Sequence, residues 1–527
     1  MENFLRENQK KIILLIFIPL VFIFLVLNYS KAKGPFWSGP NIDPDYGYLL
    51  NSLNVARLKS PCLNDHPGTP VETFGAPVIW ATHLIDRAQN NNSDLITDLL
   101  TNPEKFLTVL QRATLGLIAL SIFLVGFLSF FLFQNLVWSL FLQAAPFFSF
   151  SAFYEITKFS PEPFLFFTSQ LLVILILFCL ISEPTLIHAL LLGTILGFGV
   201  ANKVTFLPLL AFIFLMPNLK LKKLCCLAFG LSAFVFTIPM IKRYPVFWNF
   251  ISAVATHKGI YGNGEKGFID LTNVFGRFKS VIDQDPSFFL CFAVCAATLL
   301  FFLSQRKKYF GRSKNRLDNS IPKVAVITLV ACFGQIVMVA KHPAGARYML
   351  PAMGLAGLLI FLCLQIFTKI EGQKARMFRN TFYLLMACCV FISINQVRHS
   401  MAEFQSKQSD LKRLEEVRNG KFKDCKVAYL YLSSSLAIAY QLGNRTACGI
   451  YSDKLHEIYG DLITYDILTG QFANGLVQVP LEELEKKGCV LLQGTPFIGS
   501  RAEYLPKFEI HLLHNGAAEA LYKIGHL

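Results

Sequence analysis

The sequence predicts an all-α polytopic membrane domain of about 11 transmembrane helices with a small C-terminal α/β soluble domain. Three observations predict it. The 527 residues are 54% hydrophobic and 14% aromatic, with a mean hydropathy of +0.47, far more apolar than a soluble domain. Apolar runs close to the ~20 residues needed to cross a bilayer recur from Ile12 to about Gln396. After Gln396 the composition turns ordinary, so the chain reads as a membrane domain over 1–396, with a long outward loop over 29–105, and a soluble domain over 397–527.

Eleven transmembrane helices are expected, over 12–28, 112–133, 136–153, 163–181, 186–201, 204–217, 224–241, 287–304, 324–340, 350–367 and 381–396. The first follows Lys10 and Lys11 like a secretory signal, but no small-residue cleavage site succeeds it, so it is read as a retained helix. Lys and Arg near helix ends set orientation. With the N-terminus cytoplasmic, alternation puts the clusters at Lys220 to Lys223, Arg306 to Arg316 and Lys369 to Arg379 on the same inner side. The loop 242–286 fits less well, because it carries six basic residues yet falls outside. The loop 29–105, the turn 154–162 and everything after Gln396 then share the outer compartment. Within 242–286, Phe268, Leu271, Phe275, Phe278 and Ile282 recur at helical spacing between charges, which suits a helix lying in the membrane interface. In the last ~130 residues, β-rich runs at Val427–Leu432 and Val490–Leu492 alternate with helical patterns at Ser435–Leu442 and Leu481–Lys487, the signature of a small α/β domain.

The formal net charge of +15 does not mark a nucleic-acid binder, since the basic residues sit in short segments between apolar spans. Nine of the 13 cysteines lie inside those spans, where Cys acts as a small hydrophobe. Cys62, Cys425, Cys448 and Cys489 lie outside them. Neither CxxC pairs nor Cys/His spacings suggest a metal centre. A disulfide among Cys425, Cys448 and Cys489 would fit an oxidising compartment, the pair being left open.

The candidate chemistry lies on the outer side. Asn41-Ile42-Asp43-Pro44-Asp45-Tyr46-Gly47-Tyr48 follows the first helix. Asp-Pro-Asp suits the start of a helix, where Asp caps and Pro fits the first turn; a carboxylate there, ringed by Tyr46 and Tyr48, also suits a general base that takes a proton from an acceptor hydroxyl. His66 sits in His66-Pro67-Gly68-Thr69-Pro70, a loop whose prolines fix its backbone. The turn from Tyr154 to Pro163 presents Glu155, Lys158 and Glu162 at helix ends, where charges are either functional or simply snorkelling. Lys203, beside Asn202, interrupts an apolar hairpin. Lys341-His342-Pro343-Ala344-Gly345-Ala346-Arg347-Tyr348 joins two spans, and arginine's planar fork suits phosphate oxygens. An acidic patch and at least two basic ones at membrane depth suit a lipid-linked phosphate sugar: cations hold the phosphate and an aspartate activates the attacking hydroxyl.

At these residues the chain resembles the GT-C superfamily of integral-membrane glycosyltransferases, and within it the bacterial relatives of protein O-mannosyltransferases and aminoarabinose transferases. Asp43-Pro44-Asp45-Tyr46-Gly47-Tyr48-Leu49 stands where that group carries an acidic motif in its first outward loop; Asp43-Pro44 with Tyr48 is also similar to the Asp-Pro motif of oligosaccharyltransferase catalytic subunits. The resemblance implies sugar transfer from a polyprenyl-phosphate donor to a glycan, lipid or protein acceptor at a periplasmic face of a bacterial inner membrane. It makes Asp43 the first candidate for the base and Asp45 the second, with Lys203 and Arg347 on the lipid phosphate. Tyr46, Tyr48, His66, Glu162, His342 and Tyr348 are further candidates for substrate binding. The chain departs in carrying Asp-Pro-Asp where the mannosyltransferase group has Asp-Glu, and in having fewer helices than the thirteen that better-known relatives would imply. No cofactor is required by this reading, although two aspartates facing one point would accept a hard divalent cation. The alternative is a transporter or lipid flippase without transferase chemistry, which calls for broken helices and mid-membrane charge.

Overall fold

The computed structural model describes residues 8–38, 45–63, 68–89, 93–305, 316–341, 345–369, 373–430, 433–466, 470–486, 488–494 and 510–524. Among them, seven helices are long and apolar enough to cross a membrane: Gln9–Lys33, Pro103–Phe133, Pro161–Ile181, Leu219–Thr256, Pro286–Ser304, Arg316–Lys341 and Arg376–Lys421. An eighth crossing is a helix pair bent by 45°, Ala346–Met353 with Ala356–Phe367, and two shorter apolar helices cover Leu186–Asn202 and Val204–Leu215. The chain is an integral membrane protein. One expected span is broken: over 136–153 there are instead a helix Leu136–Gln143, a 3₁₀ turn Ala145–Phe148 and a helix Phe150–Ile156. The cause is local. Pro146 has no amide to give the ladder, and Ser149 starts a new helix by accepting from the Ala152 N–H at 3.0 Å.

The chain divides into two compact units. The first comprises Met1–Tyr29, Asn64–Val71 and Gln111–Arg398. Here the helices Leu186–Asn202 and Leu219–Thr237 approach through small residues. A Cβ on Gly193 would lie 2.3 Å from the Cys225 carbonyl oxygen, and one on Gly197 2.5 Å from that of Phe229. Asp285 is buried at the start of the Pro286–Ser304 helix and accepts from Ser149 Oγ (2.6 Å), the Ser151 N–H (2.9 Å), Ser287 Oγ (2.9 Å) and the Phe288 N–H (3.2 Å). A carboxylate so fully engaged is a structural clasp.

The second unit comprises Ser30–Leu63, Glu72–Leu110 and His399–Leu527, so most of the long first loop packs with the C-terminal residues. Its sheet has seven strands, β1 (Lys426–Leu430), β2 (Ile463–Asp466), β3 (Gln471–Asn474), β4 (Val477–Val479), β5 (Val490–Gly494), β6 (Ile510–Asn515) and β7 (Ala520–Ile524), in the order β4-β3-β2-β1-β5-β7-β6. β1 pairs in parallel with β2 and β5, and the remaining pairs are antiparallel. Side chains alternate across the sheet: Val490 and Leu492 join a core with Ala428, Leu430, Tyr465 and Tyr522, while Leu491 packs with Leu414 and Leu521 on the other face. The helix Asp45–Ala56 of the first loop lies against the helix Leu436–Thr446. Glycines permit it, since a Cβ on Gly443 would lie 2.9 Å from Tyr46 and one on Gly47 2.9 Å from Thr446. Asn51 donates to the Thr446 carbonyl (3.2 Å), and Tyr451 Oη donates to Asn54 Oδ1 (2.6 Å). Disulfides Cys62–Cys448 and Cys425–Cys489 lock the same unit. Of the three C-terminal cysteines, then, Cys425 and Cys489 pair with each other, and Cys448 pairs with a loop cysteine outside that trio.

Candidate active-site residues

Asp43, His66 and His342 lie outside the described residues. The other candidates fall into two groups, one in each unit.

In the membrane unit, the Pro161–Ile181 helix carries Pro161 and Glu162 in its first turn, where Pro fits and an acid meets the positive end of the helix dipole. The Leu186–Asn202 helix ends as the backbone turns extended at Lys203. Lys203 Nζ lies 2.5 Å from Glu162 Oε1, both residues being at most 5% exposed. The same ammonium lies 4.5 Å from the centroid of the Tyr348 ring, and the Arg347 guanidinium lies 5.3 Å from it. Arg347 also bonds the Tyr348 phenol, within electrostatic reach of Glu162 and Glu155. A hydrogen bond links that phenol to Tyr261, a residue held at φ 56°. Next to them in sequence, buried Lys158 pairs with Glu155 at 3.0 Å and sits 4.4 Å above the Tyr154 ring. The Gly68 N–H donates to the Asn202 carbonyl at 3.1 Å, which brings the Gly68-Thr69 end of the proline loop beside Lys203.

The turn bearing Arg347 is held from two sides. The Ala346 N–H donates to Gln284 Oε1 (2.8 Å), and Gln335 Nε2 donates to the Tyr348 carbonyl (2.6 Å). Lys341, the other cation of this loop, is differently used: it donates to the carbonyls of Phe268 (2.6 Å) and Ala255 (3.1 Å), tethering the 242–286 segment. Three cations, Lys158, Lys203 and Arg347, face two carboxylates, Glu155 and Glu162. Burying ions is costly unless charges balance, and this set has one positive charge to spare. Arg347 Nε, Ser160 Oγ and Thr205 Oγ1 are buried without a hydrogen-bond partner among the described residues. Such a set is built to receive an anion with several oxygens.

In the second unit, Asp45 opens its helix and is fully buried, as are Tyr46 and Tyr48. Tyr46 Oη donates to Glu104 Oε1 (2.8 Å), and the Phe36 N–H donates to Glu104 Oε2 (2.8 Å). Asp45 and buried Lys33 lie within electrostatic reach of Glu104. Burial pushes the Tyr46 phenol well above its ordinary range, the nearby Glu104 adding to the shift. Glu72 has neither carboxylate oxygen hydrogen-bonded among the described residues, and burial pushes it well above the usual carboxylate range. Glu104, Lys33 and Glu72 went unmarked in the sequence reading; an acid one residue after the Asn102-Pro103 helix start was the available signal for Glu104. Among the described residues no group of three or more His, Cys, Asp and Glu is placed to hold a metal ion.

No family model matches the sequence, and no curated protein matches it. Solved structures do. ArnT from Cupriavidus metallidurans in the apo state aligns over 96% of this chain and 97% of its own, at 10% identity and a TM-score of 0.51. The structure of ArnT from the same organism bound to undecaprenyl phosphate covers the same shares at 11% identity and a TM-score of 0.48. At this identity the likeness is one of fold, and in fold the chain is similar to ArnT, an aminoarabinose transferase of the GT-C superfamily, as the acidic loop motif and helix layout led us to expect.

Proposed function

We propose that this chain is a membrane glycosyltransferase that moves a sugar from a polyprenyl-phosphate donor to an acceptor hydroxyl. The observation that carries the reading is the set of buried Lys158 and Lys203 with partly buried Arg347 against Glu155 and Glu162, one positive charge in excess within the membrane unit. The cations hold the lipid phosphate and stabilise charge on it as the sugar leaves. An aspartate of the first loop, Asp43 or Asp45, takes the proton of the acceptor hydroxyl. His66, His342, Tyr46 and Tyr48 are assigned to substrate binding, and the GT-C fold accords with the whole. The disulfides support an oxidising compartment for the second unit. That in turn favours a cytoplasmic N-terminus, a periplasmic active face and a bacterial inner membrane.

A lipid flippase is the second reading, favoured by the two interrupted apolar segments, 136–156 and 346–367. One assay separates the two. The purified chain is incubated with a panel of polyprenyl-phosphate sugars, and released lipid phosphate is followed alongside the Asp43→Asn and Asp45→Asn variants. Release by the parent chain that collapses in one variant supports transfer with an aspartate base. Release that survives both substitutions removes the base assignment, and no release with any donor removes the transferase.

A further inference from the structure

The second unit holds a cleft of about 440 Å³ at the C-terminal ends of β1 and β5. β2 follows β1 on one side and β5 lies on the other, so the strand order reverses there, the position at which open α/β sheets take ligands. Its walls combine Trp37 from the first loop, Arg418 from the long helix, Tyr429 from β1, Ser435 at the start of the next helix, and Gln493 from β5. Gln493 is 4% exposed. Its Nε2 donates to Glu519 Oε2 at 2.8 Å, which leaves Oε1 buried without a partner among the described residues.

A phosphate would be the ordinary occupant of such a place, but the local chemistry opposes it. The Ser434 N–H at the helix start is already donated to Glu519 Oε1. Arg418 pairs with Glu415 and Asp461 with Lys426, and the buried Glu519 carboxylate behind Gln493 opposes the remaining Lys412, so among the described residues no positive charge is left over. What remains is an unpaired buried acceptor, a phenol bonded by Arg418 at 3.1 Å, and a half-buried indole. A ligand that donates hydroxyls and offers an apolar C–H face matches this set.

We infer that this cleft binds a neutral carbohydrate, with Gln493 Oε1 accepting a hydroxyl proton and Trp37 stacking on the sugar face. The site is separate from the ion set proposed to hold the lipid phosphate, so its test needs no turnover. The full-length chain, held in a sugar-free amphipol, is titrated with maltotriose, cellotriose and mannotriose and followed by saturation-transfer NMR, with inorganic phosphate as competitor. At least one trisaccharide is expected to bind, phosphate to leave it in place, and Trp37→Ala and Gln493→Leu each to weaken it about tenfold. Trp37→Ala removes no hydrogen bond among the described residues, so it carries the test if loss of the Glu519 contact prevents Gln493→Leu from folding; thermal melts report which variants fold. Absence of binding to all three trisaccharides, binding unchanged in a folded Trp37→Ala variant, or displacement by phosphate would each overturn the inference. Loss of lipid-phosphate release with trisaccharide binding intact would instead count against the transferase reading alone.

Discussion

Two groups of buried charge in this molecule, one in each unit, are built on opposite plans. In the ion set of the membrane unit both carboxylates have a lysine beside them, Glu155 with Lys158 and Glu162 with Lys203, and Arg347 is added to the balanced pairs. In the second unit the acids lie close together, Asp45 near Glu104, and Glu104 is quieted by two neutral donors, Tyr46 and the Phe36 amide. A set with spare positive charge stabilises an anion. In the second group burial, with nearby Asp45 a lesser contributor, raises the proton affinity of Glu104. Under the proposed function the first group would meet the phosphate and the second the proton, and substitutions can break that contrast in order of severity.

Lys203→Met should have the largest effect, because it strands Glu162 in a buried site and removes a phosphate cation together. Removing one partner of a buried pair costs about 3–5 kcal/mol, and losing an electrostatic contact to the leaving group costs about 10²–10³ in turnover. Lys203→Met combined with Glu162→Gln should restore the melting temperature without restoring lipid-phosphate release. Recovery of release in the double variant would show that the lysine serves only to balance Glu162.

The disulfide Cys62–Cys448 ties the first loop to the C-terminal residues across 386 positions of sequence. Cys62→Ser with Cys448→Ser should lower stability by about 2–5 kcal/mol, read as an earlier thermal transition, while single-turnover release at low temperature changes little. An unchanged melt would mean that the Asp45–Ala56 helix is held by its packing on Leu436–Thr446 alone. A smaller effect, about 1–3 kcal/mol, is expected for Glu104→Gln, which leaves one of two buried donors without an acceptor. If that variant loses release as completely as Asp45→Asn, Glu104 does more than hold Tyr46 in place.

The membrane helices were legible because periodicity is dispensable when all sides face lipid or protein: twenty apolar residues suffice. The break at 136–156 was not, since Pro146 and Ser149 read as tolerable members of an apolar run until Asp285, far along the chain, is known to accept from the Ser149 hydroxyl. Pairings of distant residues were hidden for the same reason. Lys203 and Glu162 were each marked as odd charges, but nothing in sequence joined two positions 41 apart. Likewise Cys62 stood alone among spans, and only the packing of Gly47 against Thr446 and Gly443 against Tyr46 brings its loop to Cys448.

The gentlest test concerns Glu72, a buried acid of the second unit that has no donor on either oxygen among the described residues. Burial raises its folded-state proton affinity above the ordinary carboxylate value of 4.5, so between that value and the raised one the folded chain keeps a proton that the unfolded chain has released. Its contribution is therefore fully present below about pH 4.5 and fades as pH rises, the direction opposite to a salt-bridged acid. Gln has nothing to release. Glu72→Gln should match the parent near pH 4.5 and melt a few degrees higher at pH 8, the gap opening as pH rises above 4.5 and levelling off where the folded carboxyl ionises. A gap that is flat across this range, or a parent chain that melts higher at pH 8, would show that the carboxylate is charged and compensated in the folded unit, and that burial does not set its proton affinity.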